Sequence, residues 1–86
     1  MFILYILKHS ETKELYIGRT NNPKRRLKEH NAGLQKSTKR STGIWNIVYA
    51  EAYRNKKDAV QRELKLKQHG SNKRWLLDRI KYSIED

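Results

Sequence analysis

Leu4-Tyr5-Ile6 and Leu15-Tyr16-Ile17-Gly18 are two near copies of one tripeptide, and the second runs through its glycine into a basic segment. Apolar and β-branched residues around a tyrosine pack well on a pleated surface, so each copy predicts a strand. The polar stretch Lys8-His9-Ser10-Glu11-Thr12-Lys13-Glu14 between them is long enough for a hairpin turn. The two strands are then antiparallel neighbours, and their phenols fall in one region. Two tyrosines held together among many cations are either core filling or the beginning of a phosphate site.

Outward from this pair, the unbroken apolar run Phe2 to Leu7 predicts a first strand buried on both faces. The second strand spans Leu15 to Arg19. Asn22-Pro23 reads as a helix start, with Asn as N-cap and Pro in the first turn, where its missing N–H does no harm. That helix runs to His30 and ends in Asn31-Ala32-Gly33. Leu34 to Gly43 is polar, basic and aperiodic, which predicts an exposed loop. Trp45 to Tyr53 is a third strand by composition, and strict alternation puts Trp45, Ile47, Tyr49, Glu51 and Tyr53 on one face. A helix from Lys56 to Gln68 is stopped by Gly70. Ser71 or Asn72 caps a last helix running through Trp75, Leu76, Leu77, Ile80 and Tyr82. The expected fold is α+β, a three-stranded antiparallel sheet flanked by three helices in the order β-β-α-β-α-α, with residues 1–86 as a single domain.

Twenty Lys and Arg against nine Asp and Glu give a net charge of +11. An excess of this size points to a polyanionic partner, most simply nucleic acid, whose phosphates release counterions when neutralised. A membrane surface would need a long helix with one clean apolar face, which none of these segments offers. The chain has no cysteine, which excludes disulfides and Cys-based zinc sites. No basic n-region precedes the short apolar start, so the expected location is the cytoplasm.

Candidate functional residues are polar groups where burial alone would favour something else. On the helix from Lys56 to Gln68, Ala59, Val60, Leu64 and Leu66 define an apolar arc, and Glu63 and Lys67 fall within it. A carboxylate aimed at a sheet is costly unless paired or bound to a metal. Glu63 therefore either pairs with Lys67 at i,i+4, for ~0.3–0.5 kcal/mol, or holds a cation. Arg26 and His30 are also four apart, at the margin of the face that Leu27 anchors. Lys24, Arg25 and Lys28 turn to solvent, as charged runs generally do. Gly18 marks either a close approach to the strand or relief of strain at its end. His9 and His69 fall on expected exposed loops. Trp45 and Trp75 are either core residues or stacking surfaces for bases.

Taken in order, Tyr5, then Tyr16-Ile17-Gly18 eleven residues later, then Arg26, His30 and a distant helical Glu63 resemble the GIY-YIG nuclease family. Ile3-Leu4-Tyr5 stands where the family has Gly-Ile-Tyr and keeps only the tyrosine, whereas the second motif is intact. The segment Arg19 to His30 is similar to the family's helix with Arg and His four apart, and Ala59 to Lys67 to its glutamate-bearing helix. The likeness is greatest to small bacterial members related to the N-terminal nuclease domain of UvrC.

The resemblance implies a DNA endonuclease using one divalent ion, Mg²⁺ or Mn²⁺, held by Glu63. It further implies Arg26 as holder of the scissile phosphate through its planar fork and Tyr5 as general base. Tyr16 would position water or phosphate, and His30 would act as proton shuttle or phosphate ligand. A phenol with a free pKa of ~10 needs help from nearby positive charge, from Arg26, the metal or a lysine such as Lys8. Gly18, Arg19, Lys24, Arg25, Lys28, Lys36, Lys39 and Arg40 are the expected nucleic-acid contacts. DNA is the expected partner, with RNA also open, and neither a membrane nor a protein partner is expected. Low sequence specificity, structure or single-strand selectivity and a place in repair or recombination complete this expectation. The alternatives are a non-catalytic basic module that binds DNA or RNA, and a ribosome-associated basic protein.

Overall fold

The computed structural model describes residues 1–85. Its elements are β1 (Phe2–His9), β2 (Leu15–Thr20), α1 (Pro23–Asn31), a 3₁₀ turn (Lys36–Thr38), β3 (Trp45–Tyr53), α2 (Lys56–Gln68), α3 (Gly70–Arg79) and α4 (Lys81–Glu85). The strands form an antiparallel sheet in the order β2-β1-β3. The α+β expectation holds, and the most apolar strand is the central one. Pairing on both sides and helices over both faces are what an uninterrupted apolar run requires.

Alternation along β1 divides the core. Leu4 and Ile6 join Ile17, Leu66 and Leu76 beneath α2 and α3. Tyr5 and Leu7 join Trp45 on the opposite face, against Tyr16 and Leu27 of α1. The expected single face for Trp45, Ile47, Tyr49, Glu51 and Tyr53 is not found. The register of β3 slips between Leu7↔Ile47 and Ile6↔Tyr49, so Val48 is an extra residue in a β-bulge. Trp45 therefore lies with Tyr5, whereas Tyr49 and Tyr53 pack with Leu4 and Ile6.

The start of α1 is as read: Asn22 Oδ1 accepts the Arg25 N–H at 3.1 Å, with Pro23 in the first turn. At the other helices the expected stops and caps differ. Gly70 opens α3, and the break after α2 falls at His69, in extended backbone (φ −115°, ψ 98°) that serves as the end of one helix and the start of the next. Ser71 and Asn72 thus lie inside the first turn of α3. The last helix is interrupted at Ile80, whose non-helical backbone separates α3 from α4. Leu64, expected in the buried arc of α2, is 41% exposed; Ala59 and Leu66 are buried and Glu63 lies between them. No helix among the described residues is long and apolar enough to cross a membrane.

His9 is the other correction. It is buried, because its Nδ1 accepts the N–H groups of Glu11 and Thr12 at 3.2 and 3.1 Å and so ties the hairpin turn to its own strand. Its ring meets the Trp45 indole edge-on. His69 is exposed, as expected.

Candidate active site

Tyr5 of β1 lies directly opposite Gly18 of β2, and Leu7 opposite Tyr16. A Cβ on Gly18 would fall 2.5 Å from the Tyr5 hydroxyl, 2.7 Å from its Cζ and 3.0 Å from Tyr16 Cε2. The close approach that the glycine permits is that of a phenol from the neighbouring strand. Because β2 is an edge strand, α2 can bring Glu63 and Lys67 round that edge to meet the tyrosines. Tyr5, Tyr16, Gly18, Arg19, Arg26 and Glu63 together line one pocket of about 240 Å³.

Glu63 is the carboxylate of this pocket. Its Oε1 accepts from Arg19 Nε at 3.0 Å and its Oε2 from Lys67 Nζ at 3.3 Å. The i,i+4 partner expected from the sequence is present, and Arg19 is added to it. Arg26 donates from a terminal nitrogen to Glu29 Oε1 at 3.0 Å, while its Nε is buried without a partner among the described residues. One side of the guanidinium fork is thus held by protein, and a buried N–H is left over beside the pocket.

Behind the pocket, Tyr5 Oη lies 2.8 Å from His30 Nε2, and His30 Nδ1 lies 2.7 Å from Thr38 Oγ1. All three side chains are buried. His30 was expected at the margin of α1's apolar face; it lies fully inside because, one turn beyond Leu27, it shares that face and caps the phenol. Both ring nitrogens are engaged, Nε2 by Tyr5 and Nδ1 by Thr38. Burial lowers the His30 pKa, and the Arg26 charge lowers it further.

The same environment acts on Tyr5 in the opposite direction. Burial pushes its pKa up to about 12, with Arg26 only partly opposing the rise. Positive charge alone therefore does not make this phenol a base at neutral pH. Lys8 gives no help either, since its Nζ donates to the Ile84 carbonyl of α4 at 2.5 Å.

The basic residues divide into those near this pocket and those away from it. Arg19, Arg25 and Arg26 line an adjoining groove with Phe2, Thr20, Asn21 and Lys56. Lys56 was missed because it reads as an ordinary exposed residue opening a helix. Lys24, Lys28, Lys36 and Lys39 are exposed and line neither the pocket nor the groove. Arg40 pairs with Glu14 and lies over the Trp45 ring, 5.5 Å from its centroid. Thr38 was missed altogether, because nothing in a polar, aperiodic loop distinguishes one threonine from its neighbours.

The donor set can be tested against a divalent ion. Among the described residues no three His, Cys, Asp or Glu cluster in metal-binding geometry. A hard ion that keeps most of its waters needs only one or two carboxylates. The partly exposed Glu63 fits that demand, since a carboxylate has about four acceptor directions and Arg19 and Lys67 occupy two of them.

A second polar network lies on the other face, where Glu51 accepts from Tyr49 and Tyr53, each at 2.5 Å, and from Arg62 Nε at 3.0 Å. Burial works against the charge of Glu51, but these three donors outweigh it and hold its carboxyl below the usual range. Its polar groups satisfy one another and tie β3 to α2.

Comparison with known proteins identifies the family. Residues 1–75 match the model of the GIY-YIG catalytic domain. The UPF0213 protein CPE1444 of Clostridium perfringens is 38% identical over 74 residues, covering 86% of this chain and 78% of that one. The UPF0213 protein OB0043 of Oceanobacillus iheyensis is 35% identical over 65 residues, covering 76% and 74%. The uncharacterized protein L300 of Acanthamoeba polyphaga mimivirus is 39% identical over 59 residues but only 36% of its length is covered. No solved structure matches the chain. By this match over residues 1–75 and by these relatives, the chain belongs to the GIY-YIG catalytic domain family.

Proposed function

We propose that this nuclease-type domain is a divalent-metal-dependent endonuclease that hydrolyses DNA phosphodiester bonds. One observation carries the proposal: β1, β2, α1 and α2 each send a chemically apt side chain, Tyr5, Tyr16, Arg26 and Glu63, to a single pocket. Glu63 would hold the ion, Mg²⁺ or Mn²⁺. Once bound, that ion would offset charge developing on the phosphate and on the leaving oxygen.

The chain's own groups do the rest. Arg26 holds the phosphate through the buried Nε–H left free by Glu29. Tyr16, at the mouth of the pocket, orients water or phosphate. Tyr5 takes a proton from the attacking water as its own proton passes to His30. The phenol's raised pKa makes that acceptor necessary, and the 2.8 Å contact supplies it. The adjoining groove offers Arg19, Arg25 and Lys56 to the backbone of the substrate. Such cations position phosphates without reading bases, which supports low sequence specificity; selection by structure or single-strandedness, in repair or recombination, completes the proposal.

The test is a cleavage screen of purified protein on single-stranded, duplex and branched DNA and on RNA, with Mg²⁺ and with Mn²⁺. Cutting should be lost with EDTA and in Glu63→Ala, while binding survives. No cutting of any substrate with either ion would leave the competing function, a non-catalytic nucleic-acid-binding module. In that case Glu63 serves only its ion pairs with Arg19 and Lys67.

A further inference from the structure

Thr38 belongs to the basic loop between α1 and β3, yet it is 1% exposed. Its backbone is fixed from two sides: its N–H donates to Gln35 O at 3.2 Å, and its carbonyl accepts the Trp45 indole Nε1–H at 2.8 Å. The loop itself is closed by Asn31, whose side chain accepts the Trp45 N–H at 2.7 Å and donates to the Trp45 carbonyl at 3.1 Å. With both backbone groups satisfied elsewhere, the hydroxyl is left for His30 Nδ1 at 2.7 Å.

The direction of this contact decides the tautomer of His30. Gln35 O lies 3.5 Å from the Thr38 hydroxyl, a long contact toward which its proton can turn while its oxygen accepts from Nδ1. On the other side, Arg26 is a donor and Tyr5 needs an acceptor for its proton, which His30 Nε2 supplies. Both ends therefore favour one chain of donors, from Tyr5 O–H to His30 Nε2 and from His30 Nδ1–H to Thr38 Oγ1 to Gln35 O. The reverse chain would leave the phenol proton with no acceptor among the described side chains and only pocket water to take it, whereas the forward chain satisfies it within the protein.

We propose that Thr38 is a positioning residue, whose buried hydroxyl fixes His30 as the Nδ1–H tautomer and presents a bare Nε2 to the Tyr5 phenol. The catalytic half of this statement rests on the nuclease function proposed above, whereas the tautomer half does not. In the step itself the Tyr5 O–H bond breaks and a bond from Nε2 to that proton forms. In the same movement the Tyr5 oxygen gains a proton from the attacking water, as that water's oxygen bonds to phosphorus. The bond from phosphorus to the leaving oxygen breaks, and the leaving alkoxide takes a proton from solvent. The imidazolium keeps its Nδ1–H on Thr38 and later releases the extra proton to solvent.

Two variants separate this role from simple packing. Thr38→Val keeps the shape and removes the hydroxyl; Thr38→Ser keeps the hydroxyl and removes a methyl group. Proton–nitrogen correlation spectra of the histidine rings above neutral pH read the tautomer without any substrate. Wild type and Thr38→Ser should show His30 protonated at Nδ1, and Thr38→Val should shift it toward Nε2–H. If cleavage is observed, Thr38→Val should lower kcat about 10- to 100-fold with KM within about twofold, and Thr38→Ser should restore most of it. Wild-type His30 protonated at Nε2 would overturn the proposal even if Thr38→Val did not fold. So would a pure Nδ1–H tautomer persisting in a folded Thr38→Val. Absence of cleavage with the expected tautomers would instead refute only the nuclease function.

Discussion

Substituting Gly18 by alanine tests whether the second tyrosine motif exists to make room for the first tyrosine. The backbone at Gly18 does not have a positive φ, so alanine brings no dihedral strain of its own. What it brings is a methyl group 2.5 Å from the Tyr5 hydroxyl and 2.7 Å from Cζ, where ordinary contact begins at 3.4 Å. The ring cannot swing aside freely, because it is 2% exposed and tied to His30 at 2.8 Å. Overpacking of this kind costs about 1–3 kcal/mol. For a domain of this size, that lowers Tm by roughly 5–20 °C. Displacing the phenol also breaks its contact with His30.

The decisive comparison is made in a Tyr5→Leu background, where the hydroxyl and Cζ are gone. There, Gly18→Ala should be close to neutral: the remaining 3.0 Å approach to Tyr16 Cε2 asks only a small shift of a partly exposed ring, and alanine loses less conformational entropy than glycine in a strand. Urea denaturation of the four proteins closes the double-mutant cycle, with an expected coupling of at least about 1 kcal/mol. A Gly18→Ala change that is neutral in the wild-type background would refute the steric account. Equal destabilisation in both backgrounds would do the same.

Two further outcomes are expected. His30 is buried with a lowered pKa, so the unfolded chain binds a proton at its ordinary pKa of 6.5 before the folded chain does. Stability should then fall as the pH drops below 6.5 toward the folded pKa, with a slope of at most about 1.4 kcal/mol per pH unit from this group. Urea midpoints from pH 7 to pH 5, beside His30→Gln, measure it; an unchanged pH dependence in the variant would exclude His30 as its source. The two indoles should also separate in solution, since Trp45 is 3% exposed and Trp75 78%. Acrylamide should quench two populations in the wild type and leave one shielded, blue-shifted emission in Trp75→Phe; a readily quenched Trp45 would contradict the packing at the start of β3.

Much of this was legible because local physics and tertiary need coincide. The apolar run of β1 implied burial on both faces, which a central strand has, and Asn22-Pro23 read as a helix start. Glu63 stood out because helical spacing put a carboxylate inside an apolar arc, and Arg26 and His30 because, four apart, they fell together at the margin of the face that Leu27 anchors. The failures lie where the deciding contact is remote in sequence. Val48 becomes a bulge only through pairing with β1, so alternation within β3 could not show it. His9 is buried by the turn it organises, and Thr38 by an indole seven residues on. Tyr5 was expected to be helped by positive charge; three-dimensional burial outweighs that charge and turns attention to His30.

The extra residue at Val48 gives β3 two allegiances. Up to Ile47 the strand belongs to the Tyr5 side, where Trp45 latches the Lys36–Thr38 turn; from Tyr49 it belongs to the helices on the far side. Removing one residue there would not shorten the strand so much as rotate its first half by half a turn, since side chains alternate along a strand. The indole would leave the loop carbonyl, and the hydroxyl behind His30 would lose its anchor. Single-residue insertions and deletions near Val48 are therefore a route by which this fold could be kept while the alignment of its buried Tyr5–His30–Thr38 chain is lost.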